Sequence, residues 1–126
     1  MKNGTVLILI VEDNEANQLL ASTVLEREGF RVELAANSVE ALEKLNSTPP
    51  DLILMDVQLP GQDGLSLTRR LKADQKTTAI PIVALTALAM LGDKERTIDA
   101  GCVGYIPKPI NTRTFAAEVR RYLPRV

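Results

Sequence analysis

The sequence predicts an α/β protein: one parallel sheet with helices on both faces. Two observations carry this. Five short apolar runs, Val6–Val11, Val32–Ala35, Leu52–Met55, Ile82–Leu85 and a weaker Val103–Ile106, alternate with five amphipathic stretches. Strands separated by one helix each form parallel sheets, because a parallel crossover must span the sheet. The runs are also near-continuously apolar rather than alternating, as strands covered on both faces require. No linker, low-complexity tract or repeat interrupts the 126 residues, so residues 1–126 read as a single domain with a core from about 5 to 123.

The helices follow in order. After the first run, Ala16, Leu19, Leu20 and Val24 recur at helical spacing and are expected to face inward, and Gly29 ends that helix. Asn37 and Glu40 resemble a capping box that opens a second helix, with Ala41, Leu42 and Leu45 inward. Leu67 and Leu71 mark a third, beginning near Asp63–Gly64, where Asp63 is the expected cap. A fourth runs from about Ala89 to Ala100 and stops at Gly101. A fifth starts at Asn111, buries Phe115, Val119 and Leu123, and closes at Pro124. Asp51 is assigned to the turn before its strand, and Cys102 to a small buried or half-buried thiol.

Composition excludes several function classes. Fifteen basic and sixteen acidic side chains give a net charge of -1, so no global field favours nucleic acid or an anionic membrane. The longest apolar run is too short to cross a bilayer, and no secretory leader is expected. One cysteine permits no internal disulfide and suits a reducing cytoplasm. The chain has no histidine, which excludes serine–histidine and cysteine–histidine catalysis and histidine-based zinc sites.

The polar residues are placed more pointedly. Glu12 and Asp13 follow the first run, Asp56 the third, Thr86 the fourth, and Lys108 lies just past the fifth. In a parallel sheet all these positions share the carboxyl edge, where open α/β sheets bind ligands. Alone, each has a bland reading: Asp13 as an N-cap, Asp56 as a turn residue before Pro60 and Gly61, Thr86 as a strand end, Lys108 as a solvated charge. Together they place three carboxylates, one hydroxyl and one ammonium on one rim. Two like charges about 4 Å apart repel by roughly 4 kcal/mol at an effective dielectric near 20. A divalent cation cancels the residual charge, and hard oxygen donors suit Mg²⁺, with Mn²⁺ or Ca²⁺ as substitutes. Beside such an ion, Asp56 can act as a nucleophile toward a phosphoryl group.

The stretches "VEDN", "LILMDVQLPGQDG", "IVALTA" and "YIPKPI", in this order and spacing, resemble the receiver domains of two-component response regulators. The stretch "LTALAMLGDKERTIDAGCVGYIPKPI" is most similar to single-domain receivers of the DivK type. The resemblance implies a flavodoxin-like, doubly wound (βα)5 fold with strand order 2-1-3-4-5. It implies phosphorylation of Asp56 and direct metal binding by Asp13 and Asp56. Glu12 would bind the metal largely through water, and the main-chain carbonyl of Gln58 would complete the set. Lys108 would contact the phosphoryl group beside a cis peptide to Pro109, and Thr86 and Tyr105 would form the switch pair. Glu12 stands where many members carry aspartate. Gln58 and Leu88, each two residues past a site residue, are expected to flank the water path and tune phosphoryl lifetime.

The expected function is a phosphorylation-activated signalling switch, not a turnover enzyme beyond its own phosphorylation and dephosphorylation. Its donor would be a histidine kinase or phosphotransfer protein. With no output domain, its readout would be binding of a downstream protein through the fourth helix, fifth strand and fifth helix, as a monomer or weak homodimer without nucleic-acid or membrane contact. Arg113, Arg120, Arg121 and Arg125 make that end basic, most simply as a solvated face. Other readings remain open: a receiver piece of a hybrid histidine kinase or multidomain regulator, a flavodoxin-like cofactor carrier, or an aspartyl-dependent phosphatase. Against the carrier, "EDNEAN" offers acids where a phosphate loop needs amides. Against the phosphatase, Val57 and Gln58 supply no second acid beside Asp56.

Overall fold

The computed structural model describes residues 6–59, 62–87 and 91–123. Leu88, Pro60–Gly61, the start of the fourth helix at Ala89, Pro124 and Arg125 lie outside the described residues. The large sheet is parallel and contains β1 (Leu7–Val11), β2 (Arg31–Ala35), β3 (Leu52–Asp56), β4 (Ile82–Thr86) and β5 (Gly104–Pro107), in the order β2-β1-β3-β4-β5. The helices are α1 (Glu15–Arg27), α2 (Ser38–Ser47), α3 (Gly64–Ala73), α4 (Leu91–Ala100) and α5 (Phe115–Tyr122).

The continuous apolar runs have a direct cause. Along β1, Leu9 and Val11 enter one core with Ile53, Met55, Leu67 and Leu71, while Ile8 and Ile10 enter the other with Leu25, Phe115 and Val119. Successive strand residues point to opposite faces. A strand with a core on each side therefore needs no polar position. β2, at the sheet's edge, is partly exposed except at Ala35.

The local signals are met in detail. Asn37 Oδ1 accepts from the Glu40 N–H at 2.9 Å, and Glu40 Oε1 accepts from the Ala36 N–H at 2.7 Å. Asp63 caps α3 by accepting from the Leu65 N–H at 2.9 Å. Gly29, past the end of α1, has φ +94°, a conformation that costs glycine little. Asp51 does more than shape a turn: its Oδ2 accepts from the Leu7 N–H at 2.8 Å and ties β3 to β1. Helix α5 begins at Phe115, later than expected, because Asn111 first closes a turn by accepting the Arg113 N–H on Oδ1 and the Phe115 N–H on its carbonyl.

One expectation is corrected. The inward face of α1 is Ala21, Val24 and Leu25, whereas Ala16 is exposed and Leu19 and Leu20 are 68% and 40% exposed. The two stripes share Val24, so spacing alone did not separate them. At about 100° per residue, Leu19 lies nearly opposite Ala21, and Leu20 lies at the edge of the buried stripe.

Cys102 is buried, and burial pushes its thiol up to about 11, against the opposing Thr68 hydrogen bond and Lys72 charge. Only thiolates react, so at pH 8 a maleimide is expected to label native Cys102 far more slowly than the unfolded chain. A native rate matching that of the denatured protein would contradict this placement.

Candidate phosphoacceptor and metal site

The carboxyl rim brings together every residue that the motifs singled out there. Glu12 follows β1 directly. It is 1% exposed, its N–H donates to the Ala35 carbonyl at 2.9 Å, and its Oε2 accepts from the Asn14 N–H at 3.1 Å. Gln18, one turn into α1, donates its side-chain N–H to the Glu12 carbonyl. Asp56 is the last residue of β3 and 4% exposed, and its Oδ1 accepts from the Gln58 N–H at 3.0 Å. Thr86 ends β4 and is buried, and its carbonyl accepts from the Lys108 N–H at 2.8 Å. The Lys108–Pro109 peptide is cis, as the resemblance implied. Tyr105 is half-buried on β5, with Lys94 Nζ 5.9 Å from its ring centroid.

Lys108 spans the two buried acids. Its Nζ lies 2.7 Å from Glu12 Oε1 and 3.1 Å from Asp56 Oδ2. The short contact to Glu12 is a charge-assisted ion pair that partners its buried Oε1. Asp13 stands exposed at the mouth, and one carboxylate oxygen each from Glu12, Asp13 and Asp56 lie within 4.8 Å of one another.

Charge distribution follows from burial. Burial drives the Asp56 carboxyl up to about 6; the Gln58 N–H opposes this, and the neighbouring Glu12 adds to the rise. Burial acts on Glu12 in the same sense, but Lys108, the Asp56 carboxyl and the Asn14 N–H outweigh it and hold Glu12 below its ordinary value. Lys108 is raised, the two acids overcoming its own burial. In mildly acid solution Asp56 therefore carries the proton, while Glu12 and Lys108 stay charged.

The donor set fits a hard divalent cation. Two oxygens on one ion cannot be farther apart than twice the metal–oxygen distance, roughly 4.2 Å for Mg²⁺ and roughly 5 Å for Ca²⁺. The three carboxylates already meet or nearly meet that limit. The competing role for Asp13 is removed, because the N-cap of α1 is Asn14, whose side chain accepts from the Asn17 N–H at 2.9 Å. Asp13→Ala is thus expected to leave α1 intact and raise the metal-free melting temperature by about 1–3 °C through relief of like-charge repulsion. The same change is expected to remove whatever stabilisation a divalent cation such as Mg²⁺ adds on binding the three acids, which for any bound ligand is about 2.7 kcal/mol at a hundredfold excess over Kd. Thermal melts with and without Mg²⁺ check both halves; a lower metal-free melting temperature would return Asp13 to a structural role.

Sequence reasoning missed Gln18 and Asn14, which fix the backbone around Glu12. The Asn14–Asn17 interval was a readable cap signal, but the adjacent aspartate masked it. It also missed a short antiparallel ribbon, Gln58–Leu59 with Gln62–Asp63, which carries the chain from β3 to α3.

Comparison with known proteins agrees with this geometry. The family model for the response regulator receiver domain matches residues 8–120. The polar-differentiation response regulator DivK of Brucella anthropi is 44% identical over 116 residues, 92% of this chain and 94% of that protein. A putative response regulator from Chloroflexus aurantiacus superposes with a TM-score of 0.90 at 32% identity, covering 96% of this chain and 99% of the other. The receiver domain of a sensor histidine kinase from Pseudomonas aeruginosa, whose structure has a magnesium ion coordinated in the active-site cleft, matches with a TM-score of 0.85 at 37% identity, covering 94% and 98%. A sheet in the order 2-1-3-4-5, with three acids and a lysine on its carboxyl rim and this likeness over almost its full length, places the chain in the response regulator receiver domain family.

Proposed function

We propose that the protein is a signalling switch set by phosphorylation of Asp56. One observation carries the reading: Glu12, Asp13 and Asp56 converge within 4.8 Å while Lys108 bridges the two buried acids. Glu12, Asp13, Asp56 and the main-chain carbonyl of Gln58 would hold Mg²⁺, or Mn²⁺ or Ca²⁺ through the same oxygen donors. When bound, the ion neutralises charge on the transferring phosphoryl oxygens.

The chain's own residues do the rest. An ionised Asp56 oxygen attacks phosphorus, and the bond to the donor's leaving group breaks, its electron pair departing with that group. Gln58 N–H holds one Asp56 oxygen and so orients the carboxylate. Lys108, already within 3.1 Å of the other, is placed to follow the charge onto the phosphoryl group. The Thr86 hydroxyl supplies a hydrogen bond at the end of the neighbouring strand, and its movement frees space for Tyr105 to turn inward. Gln58, exposed beside the acid, borders the approach of hydrolytic water and with Leu88 tunes phosphoryl lifetime.

No histidine is present, so the phosphoryl group must come from a histidine kinase, a phosphotransfer protein or a small phosphodonor. Leu20, Pro109 and Ile110 frame an apolar cleft beside Lys108, the surface such a donor protein covers when it reaches Asp56. Output is binding of a downstream protein at α4, β5 and α5, where Ile98 and Val103 are 47% and 49% exposed. Arg120 does not contribute to that surface as a free charge, since it pairs with Glu28 at 3.0 Å.

The test is intact-mass measurement after incubation with a small acyl phosphate. One added phosphoryl group is expected with Mg²⁺ and almost none after chelation. Continuous turnover of added phosphoesters would favour a phosphatase instead.

A further inference from the structure

A second charged feature lies away from the acidic rim, in a groove of about 130 Å³ between α1 and the segment 112–120. Arg27 from the last turn of α1 lines it, as do Thr112, Arg113 and Arg120, over an apolar floor at Val24. Arg120 is already committed. It donates to Glu28 Oε1 at 3.0 Å and to the Glu28 carbonyl at 3.2 Å, and its guanidinium lies 5.2 Å from the Phe30 ring centroid. Glu28, the acid lining the groove, is neutralised by that pair. Arg27 and Arg113 have no ion pair among the described residues. Among the described residues the groove therefore holds two guanidinium charges with no paired acid, in a chain whose net charge is -1.

We infer that this groove binds the phosphate group of a small molecule. Two guanidinium forks, each presenting several N–H donors in one plane, match a doubly charged phosphate, whereas a single carboxylate would neutralise only one of them. The Thr112 hydroxyl adds a neutral donor at the same wall. The Arg120–Glu28 pair sets the far edge. The phosphate belongs either to free inorganic phosphate or pyrophosphate, or to the terminal group of a nucleotide.

Titration of the full chain with pyrophosphate and with ATP, followed by backbone amide NMR, tests this. EDTA is included so that the acidic rim, without a cation, repels both probes. Saturable shifts confined to residues 24–28 and 112–120 are expected, weakened at least about tenfold in Arg27→Gln and in Arg113→Gln but unchanged in Arg121→Gln, whose side chain lies outside the groove. Tighter binding of ATP identifies a nucleotide as the source; equal binding identifies the free anion. Shifts that do not saturate, or an equal loss in Arg121→Gln, would reduce the effect to diffuse attraction and overturn the site. Saturable displacement of pyrophosphate by a glutamate-rich peptide would overturn it in favour of an acidic protein partner.

Discussion

Asp56→Asn is expected to take up no phosphoryl group and, in the absence of metal, to be more stable than the parent protein at pH 7. The first half follows from chemistry: an amide oxygen is too weak a nucleophile toward phosphorus, and Glu12 is turned inward onto Lys108 and cannot replace it. Intact-mass measurement with Mg²⁺ and acyl phosphate reads this directly. An added group on the variant would mean another residue is the acceptor.

The second half follows from linkage. In the folded chain the Asp56 carboxyl titrates at about 6, mainly because burial disfavours the ion; in the unfolded chain it titrates near the ordinary 3.8. Between these values the folded state binds more protons than the unfolded state, so stability falls as pH rises from about 4 to about 6. Above 6 that loss is complete. Glu12 acts in the opposite sense, but only below its ordinary 4.5, so the upper part of the window belongs to Asp56. Asparagine carries no charge to bury and keeps an oxygen for the Gln58 N–H. The gain at pH 7 is on the order of 1–2 kcal/mol, discounted from the full shift because Lys108 loses one partner. Melts from pH 4 to pH 8 should show the parent losing stability through the window and the variant remaining flat there. Parallel curves would mean Asp56 is not a desolvated acid.

Burial is also why so much could be read from the sequence. Strands covered on both faces favour continuous apolar runs, so the first polar position at the end of each run marks the sheet's rim; Glu12, Asp56 and Thr86 were found this way. Parallel topology then gathered them, because all five strands end on the same side. Contacts set by tertiary distance were not legible. Nothing in the spacing says that Lys108 spans Glu12 and Asp56, or that Gln18 reaches back to the Glu12 carbonyl. The α1 face was misassigned because Leu19 and Leu20 fit a helical stripe as well as Ala21 and Leu25 do. What separates the two is which side of the helix meets the sheet, a property of the assembled fold. The exposed Leu20 then bears on the site rather than the core, in the cleft beside Lys108.

Gly64→Ala is expected to damage both stability and phosphoryl uptake, and the reason lies in backbone geometry. Gly64 opens α3 directly after the ribbon that leaves β3, and its N–H donates to the Val57 carbonyl at 2.9 Å. A Cβ at this position would lie 1.9 Å from the Asp56 carbonyl oxygen and 3.1 Å from the Val57 Cα. Both obstacles are main chain, so no rotamer change relieves them. Either α3 tilts away from the sheet or the Asp56–Val57 backbone moves. The first opens the core around Leu65, Leu67 and Leu71, which are at most 2% exposed. The second breaks the hydrogen bond between the Val57 N–H and the Leu85 carbonyl and turns the Asp56 carboxylate away from the Gln58 N–H and Lys108. A forced main-chain shift of this kind costs about 3 kcal/mol or more, at the severe end for one substitution. Denaturant unfolding should show that loss. The folded fraction, assayed by intact mass with acyl phosphate and Mg²⁺, should phosphorylate at least about tenfold more slowly, since misplacement near 1 Å is enough to lose that much. A Gly64→Ala protein with parental stability and an unchanged rate would show that the close approach of α3 to the end of β3 does not hold Asp56 in position.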